Sequence, residues 1–196
     1  MDTNQSYILE NELVRLEPLS EEHFGALLPF SLNEPEIWTY SLISGAGEEN
    51  LRNYFNQAIE ARKKGEAYPF TVFDKTINKY AGTTRFYEIN PIHKTLSLGY
   101  TWYGKAHQGT KVNKASKFLL LRFAFEDLGM ERVEFRADSR NTRSIAALES
   151  IGGVIEGILR NNGSSSSGER RDSVVLSIIK LEWQVHVKSM LQAKLL

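Results

Sequence analysis

The spacing of apolar and polar residues changes several times along this chain, and each change marks an element. Residues 13–17 (LVRLE) alternate with the two-residue period of a half-buried strand. Ser20 then opens SEEHFGALL, with acids in its first turn, as a helix start does. Asn33, Glu34 and Pro35 predict a second short helix through Trp38 and Tyr40, because proline suits a first turn. Over 48–64, Leu51, Tyr54, Phe55, Ala58 and Ile59 recur at i, i+3 and i+4. Glu48 and Glu49 open that helix, Arg62, Lys63 and Lys64 close it, and Gly65 stops it. These charges complement the helix dipole and are structural.

From residue 68 the period shortens. YPFTVFD and KYAGTTRFYEI predict a strand pair joined near Asp74–Lys79, and LSLGYTWY (96–103) a third strand. Residues 113–128 are apolar nearly all round, which predicts a helix buried against a sheet and ended by Gly129. RVEFRAD (132–138) is the next strand and TRSIAALESIG (142–152) the next helix. VIEGILR and RRDSVVLSIIK are two further strands. NNGSSSSGE (161–169) between them has the composition of a flexible hairpin loop, and WQVHVKSMLQAKLL predicts an exposed C-terminal helix. There is no internal repeat. The order is that of a single mixed α/β domain over 1–196. The run LSLGYTWY, helix, RVEFRAD has the form of a strand-crossover-strand unit, whose helix would start at a carboxyl strand edge, where ligands bind.

Composition narrows the classes. The 196 residues suffice for one core, and formal net charge is zero, which argues against a coat for nucleic acid or anionic membrane. There is no cysteine, so a disulfide scaffold, a thiolate metal site and a cysteine nucleophile are excluded. The four histidines lack metal-ligand spacing, so no metal is implied. The polar, acidic start is unlike a secretory signal, and no apolar run approaches the ~20 residues that span a bilayer. The expectation is a cytoplasmic protein.

Charge is nevertheless uneven. No Asp or Glu lies between Glu88 and Glu126, while Lys94, Lys105, Lys111, Lys114, Lys117 and Arg122 all do. KAHQGTKVNKASK (105–117) places one glycine and much of this basic charge at a strand-to-helix turn. A helix N-terminus offers unpaired N–H groups and positive partial charge. Two readings fit: a pyrophosphate cradle with Lys111 and Lys114 as point charges, or a turn that needs Gly109 and leaves its lysines in water. The stretch has neither the spacing of a P-loop nor that of a dinucleotide fingerprint.

The segments LVRLEPL, PFTVFDKTINKYAGTTRF, LGYTWYGKAHQGTKVNKASKFLLLRFAFEDLGMERVEFRADSRNTRSIAALESIGGVIEGILR and RRDSVVLSI, with Glu182–Trp183, resemble the GNAT N-acetyltransferase superfamily. They are most similar to the branch that includes ribosomal-protein N-terminal acetyltransferases. The resemblance covers 12–183 and leaves 184–196 as a helical tail. It implies a mixed α+β fold, with a central, mostly antiparallel sheet, a splayed parallel strand pair and flanking helices.

By the same resemblance, acetyl-CoA wedges between the splayed strands. Its pantetheine arm would run along Tyr100, Thr101, Trp102 and Tyr103. Its pyrophosphate would meet Gln108, Gly109, Thr110, Lys111, Val112, Asn113 and Lys114, with Asn113 where relatives carry a small residue. Asn141 and Ser144 would meet the cofactor at the next helix start; Asn141 is equally a helix cap.

Direct transfer to an amine needs a deprotonated nitrogen, a near-attack geometry, a stabilised oxyanion and a proton for the leaving thiolate. A backbone N–H around Tyr100–Trp102 would serve the oxyanion. Where relatives carry a thiol-protonating Tyr and a catalytic Glu, this chain has Leu148 and Arg136. Asp138 or Glu134, on the strand face of Arg136, would act directly or through water, or else form charge pairs with Arg136. Ser144 is the candidate nearest the thiol. Trp38, Tyr40, Arg85, Tyr87 and Glu88 are candidates for the acceptor pocket, each also readable as packing. Arg85 would bind a substrate carboxylate or pair with Glu88.

The resulting expectation is an acetyl-CoA-dependent N-acetyltransferase acting on a primary amine, either a protein N-terminus or a small molecule. The alternative is a non-catalytic acyl-CoA-binding or regulatory protein on the same fold. A nucleic-acid module using 105–122 would bind with steep salt dependence, and it leaves NTRS unexplained. Neither a nucleic acid nor a membrane is an expected partner; the exposed C-terminal helix and apolar strand edges are compatible with a homodimer.

Overall fold

Each alternating segment above is a strand in the computed structural model, which describes residues 1–196. The strands are β1 (Leu9–Glu10), β2 (Val14–Pro18), β3 (Ala67–Asp74), β4 (Lys79–Asn90), β5 (Thr95–Tyr103), β6 (Arg132–Asp138), β7 (Val154–Ser164) and β8 (Arg170–Ile179). The helices are α1 (Phe24–Asn33), α2 (Glu48–Lys63), α3 (Lys111–Arg122), α4 (Thr142–Glu149), α5 (Lys180–Glu182) and α6 (Lys188–Leu195). The segment predicted as a helix through Trp38 is a 3-10 turn, Pro35–Trp38.

All eight strands form one sheet in the order β1-β2-β3-β4-β5-β6-β8-β7. Every pairing is antiparallel except β5 with β6, which α3 connects. Strand alternation sends side chains to two cores. On one face Phe70, Phe86, Leu98 and Phe135 meet Leu119 and Leu120 of α3. On the other, Trp102 meets Trp38, Leu51, Tyr54 and Phe55 beside α1 and α2. The apolar stripe read over 48–64 is thus the face that α2 buries. No helix is long and apolar enough to cross a membrane.

Two segments differ from expectation. Pairing of β7 with β8 resumes beyond a bulge at Gly163 opposite Arg171 and Ser164 opposite Arg170, so the strand takes in half of the presumed loop. The turn that remains is docked: Ser165 is buried and the Ser166 N–H donates to the Ser41 carbonyl at 2.9 Å. Small polar residues pack there because their hydrogen bonds are met, which composition does not reveal. The last helix is also not exposed. After α5, a π-helical turn at Trp183–Val187 leads into α6, and Trp183, Val187 and Leu191 are buried in the α3 core.

Candidate active site

β5 and β6 pair only at their starts, from Thr95 opposite Arg132 to Ser97 opposite Glu134. Beyond that β5 follows β4 to Tyr103 opposite Gly82, while β6 follows β8 to Asp138 opposite Ser173. The two diverge, and a cleft of about 470 Å³ opens between them. The edge of β5 from Leu98 onward faces it with backbone groups that β6 does not pair, a surface suited to an extended ligand.

A bulge shapes that edge. Thr83 lies opposite Trp102, but Arg85 lies opposite Gly99, so β5 holds one residue more than β4. Tyr100 absorbs it at φ +49°. Side-chain parity resets there. Leu98, Thr101 and Tyr103 point to the α3 side, whereas Tyr100 and Trp102 point to the α1 and α2 side.

At one end of the cleft lies the turn before α3. Gly109 adopts φ +75° with open space where a Cβ would stand, so glycine is needed for its backbone angle. Thr110 caps α3, accepting from the Val112 N–H at 3.2 Å and donating to the His107 carbonyl at 2.7 Å. Gln108 is clamped: Nε2 donates to the Tyr103 carbonyl and Oε1 accepts from Arg143 Nη1, both at 2.7 Å. Arg143 thus brings a guanidinium to this turn, a residue the sequence reading passed over inside NTRS. Gln108, Gly109 and Asn113 line the cleft; Thr110, Lys111, Val112 and Lys114 do not. Val112 is in the core, and the exposed Lys111 ammonium donates to the Leu195 carbonyl at 2.9 Å. His107 is structural, buried on Asp74 at 3.0 Å.

At the start of α4, Asn141 Oδ1 accepts from the Ser144 N–H at 3.0 Å. Asn141 is therefore the cap, and both it and Ser144 line the cleft. Below them, the floor contains Lys117. It is 3% exposed, and burial pulls its ammonium down from 10.5 to about 7. Nothing in the sequence pattern singles it out from the other lysines of the basic stretch.

The expected acids are already engaged. Asp138 lines the cleft, but Arg140 holds both its oxygens at 3.0 Å, and those hydrogen bonds keep its carboxyl below the usual range. Glu134 accepts from Arg136 at 2.8 Å and Arg132 at 2.9 Å and lies outside the cleft. The charge pair expected with Arg136 thus forms at Glu134, not at Asp138, whose partner is Arg140. Glu88 does line the cleft. Its carboxylate is about half exposed, accepts from the Ser97 hydroxyl at 2.9 Å and lies 3.3 Å from Arg136.

Tyr40, Tyr87, Tyr100 and Trp102 complete this end of the cleft, and burial pushes Tyr87 up to about 12. Two expected acceptor residues are elsewhere. Trp38 is buried on Trp102 with ring centroids 5.0 Å apart. Arg85 neither pairs with Glu88 nor reaches the cleft; it is buried, stacked 4.2 Å over Tyr100 and 5.3 Å over Tyr54. Arg171, buried at the cleft wall with its Nε 3.9 Å from Asp138, was not anticipated.

This geometry has close counterparts. Residues 14–154 match the family model described as acetyltransferase (GNAT) domain. YjcK of Bacillus subtilis (strain 168), named a probable N-acetyltransferase, is 30% identical over 132 residues, 67% of this chain and 72% of that one. YdaF of the same organism, named as a candidate ribosomal N-acetyltransferase, is 31% identical over 103 residues, 53% of this chain and 55% of that one. A crystal structure of a candidate acetyltransferase from T. thermophilus superposes with a TM-score of 0.86 at 37% identity, covering 96% of this chain and 97% of that one. The matched segment contains the splayed strands, the α3 turn and the start of α4 together, and the chain belongs to the GNAT family of N-acetyltransferases.

Proposed function

We propose that the cleft takes acetyl-CoA along the free edge of β5 and that the enzyme passes the acetyl group directly to a primary amine. The observation that carries this is continuity: one cleft runs from the N-terminus of α3 to the bulge at Tyr100. The α3 turn and Arg143 would hold the pyrophosphate, with backbone N–H groups and a guanidinium as donors. The unpaired edge of β5 would hold the pantetheine amides. A backbone N–H at Tyr100–Trp102 would stabilise the oxyanion.

The acceptor would enter past Tyr40 and Tyr87. Glu88, the cleft carboxylate with the weakest hold on a cation, would take a proton from its nitrogen. An α-amino group has a pKa of about 8 against about 10.4 for lysine, so a polypeptide N-terminus is the favoured acceptor. The name of YdaF points the same way.

Calorimetric titration with acetyl-CoA, followed by thiol release on a panel of free-N-terminus peptides and polyamines, tests this. Micromolar-range binding with turnover on peptides is expected. Binding without turnover on the whole panel would turn the reading to a non-catalytic acyl-CoA-binding protein, and no binding would end it.

A further inference from the structure

The floor of the cleft holds a cation that no anion accounts for. Lys117 Nζ donates to Thr101 Oγ1 at 3.0 Å and lies 6.0 Å from the centre of the Phe135 ring. Thr101 shares a 2.7 Å hydrogen bond with Thr84 in turn. The other charged side chains lining the cleft are Glu88, Arg136, Asp138, Arg143 and Arg171. Its two acids are paired with Arg136 and Arg140, and none of the five lowers the cost of charge on Lys117, which arises from burial alone. An apolar side chain would fill this space at lower cost.

Its position relative to the bulge suggests a use. Thr101 directly follows Tyr100, and the bulge turns Thr101 toward α3 while Tyr100 faces the other way, against Tyr87 at 5.1 Å. A thioester lying at the bulge would therefore have the acceptor side on one flank and Lys117 on the other. We propose that Lys117 is the acid that protonates the departing sulfur of coenzyme A. This rests on the acetyl-CoA reading above.

Atoms and charges balance in such a step. The acceptor nitrogen bonds to the carbonyl carbon, and the C–S bond breaks with its electron pair going to sulfur. One Nζ proton moves to that sulfur. The acylated nitrogen releases one proton to Glu88 or water, and Lys117 recovers one from solvent. Held near 7, Lys117 is a stronger acid than an ordinary thiol at about 8.5, so the transfer is downhill. Tyr87 and Tyr103, both pushed by burial to about 12, are poorer donors. Ala147 and Leu148, which α4 places in the cleft, have no proton to give.

The test uses the full chain, with Lys117→Met and, as a second variant, Lys117→Gln. Expected are a kcat lower by about 10²–10³-fold, acetyl-CoA affinity within about threefold of wild type, and loss of the alkaline limb of kcat that wild type shows above the titration of Lys117. Wild-type kcat and an unchanged limb in a folded variant would overturn the proposal, as would lost affinity with kcat intact at saturation. Failure of wild type to bind or turn over acetyl-CoA would instead strike the functional reading itself.

Discussion

Replacing Lys117 with Met should make this protein more stable, by an amount that depends on pH. In the unfolded chain the ammonium persists to 10.5, whereas burial lowers it in the folded state to about 7. Between those values the unfolded state carries one more proton, so wild-type stability rises with pH by about 1.4 kcal/mol per pH unit. Below 7 the full cost, on the order of 5 kcal/mol, is constant; above 10.5 it vanishes.

Methionine has a similar length and no charge to desolvate. Its cost is the hydrogen bond lost at Thr101, about 1 kcal/mol, softened because Thr84 remains bonded to Thr101. The net gain at pH 8 is then about 2 kcal/mol, shrinking to about zero near pH 9.5. Urea unfolding of both proteins from pH 7 to 9.5, extrapolated linearly, reads the difference directly. A variant less stable at pH 7, or a gain that does not change with pH, would refute the reasoning. Coupled with the expected loss of kcat, the outcome would make Lys117 a case of stability given up for activity.

Gly82→Ala should cost more than about 3 kcal/mol, seen as a lowered Tm, because its Cβ would stand 2.0 Å from the Trp102 carbonyl oxygen at φ +155°. Gly109→Val meets no neighbour but forces a β-branched residue to φ +75°, so calorimetry should show acetyl-CoA affinity reduced about tenfold or more, with the fold retained. Asp138→Asn should lower stability at pH 7 by about 1–2 kcal/mol, since it leaves buried Arg171 without its carboxylate, while exposed Arg140 keeps Glu169 at 2.8 Å. Stability again rises with pH, as at Lys117, but here the ionised form is the favoured one: the folded Asp138 pKa lies below its ordinary 3.8, so its contribution is present above that value and is lost as pH falls through the lower one. Urea midpoints from pH 3 to 7 should show a shallower acid limb in the variant than in wild type, the remainder coming from carboxylates such as Glu17 and Asp74, whose pKa values are also lowered.

The helix over 48–64 and the strands at 68–74 and 132–138 are legible because adjacent residues carry their period, caps and terminal charges. The same holds for the cap at Asn141 and the turn at Gly109, whose signals are local. The cleft as a place was legible through the order of motifs. Which side chains line it, and in what state, was not.

Whether Asp138 faces the cleft as a free base or in the grip of Arg140 is a matter of rotamers and of a turn that follows the strand. Arg85 looked like a carboxylate receptor, yet the bulge in the neighbouring strand laid Tyr100 over it. Asn161–Ser164 looked like loop because their composition is small and polar, yet β8 supplied a pairing partner.

The sequence by itself determined most of the elements and their order, since periodicity and capping depend on near neighbours, and its motifs carried the resemblance to the family. Only the tertiary structure decided where β5 leaves β6, which arginines hold which acids, and that one lysine of a basic stretch is stripped of water. Proton affinity and ion pairing are set by burial and by charges brought together from distant parts of the chain, and no local pattern records them.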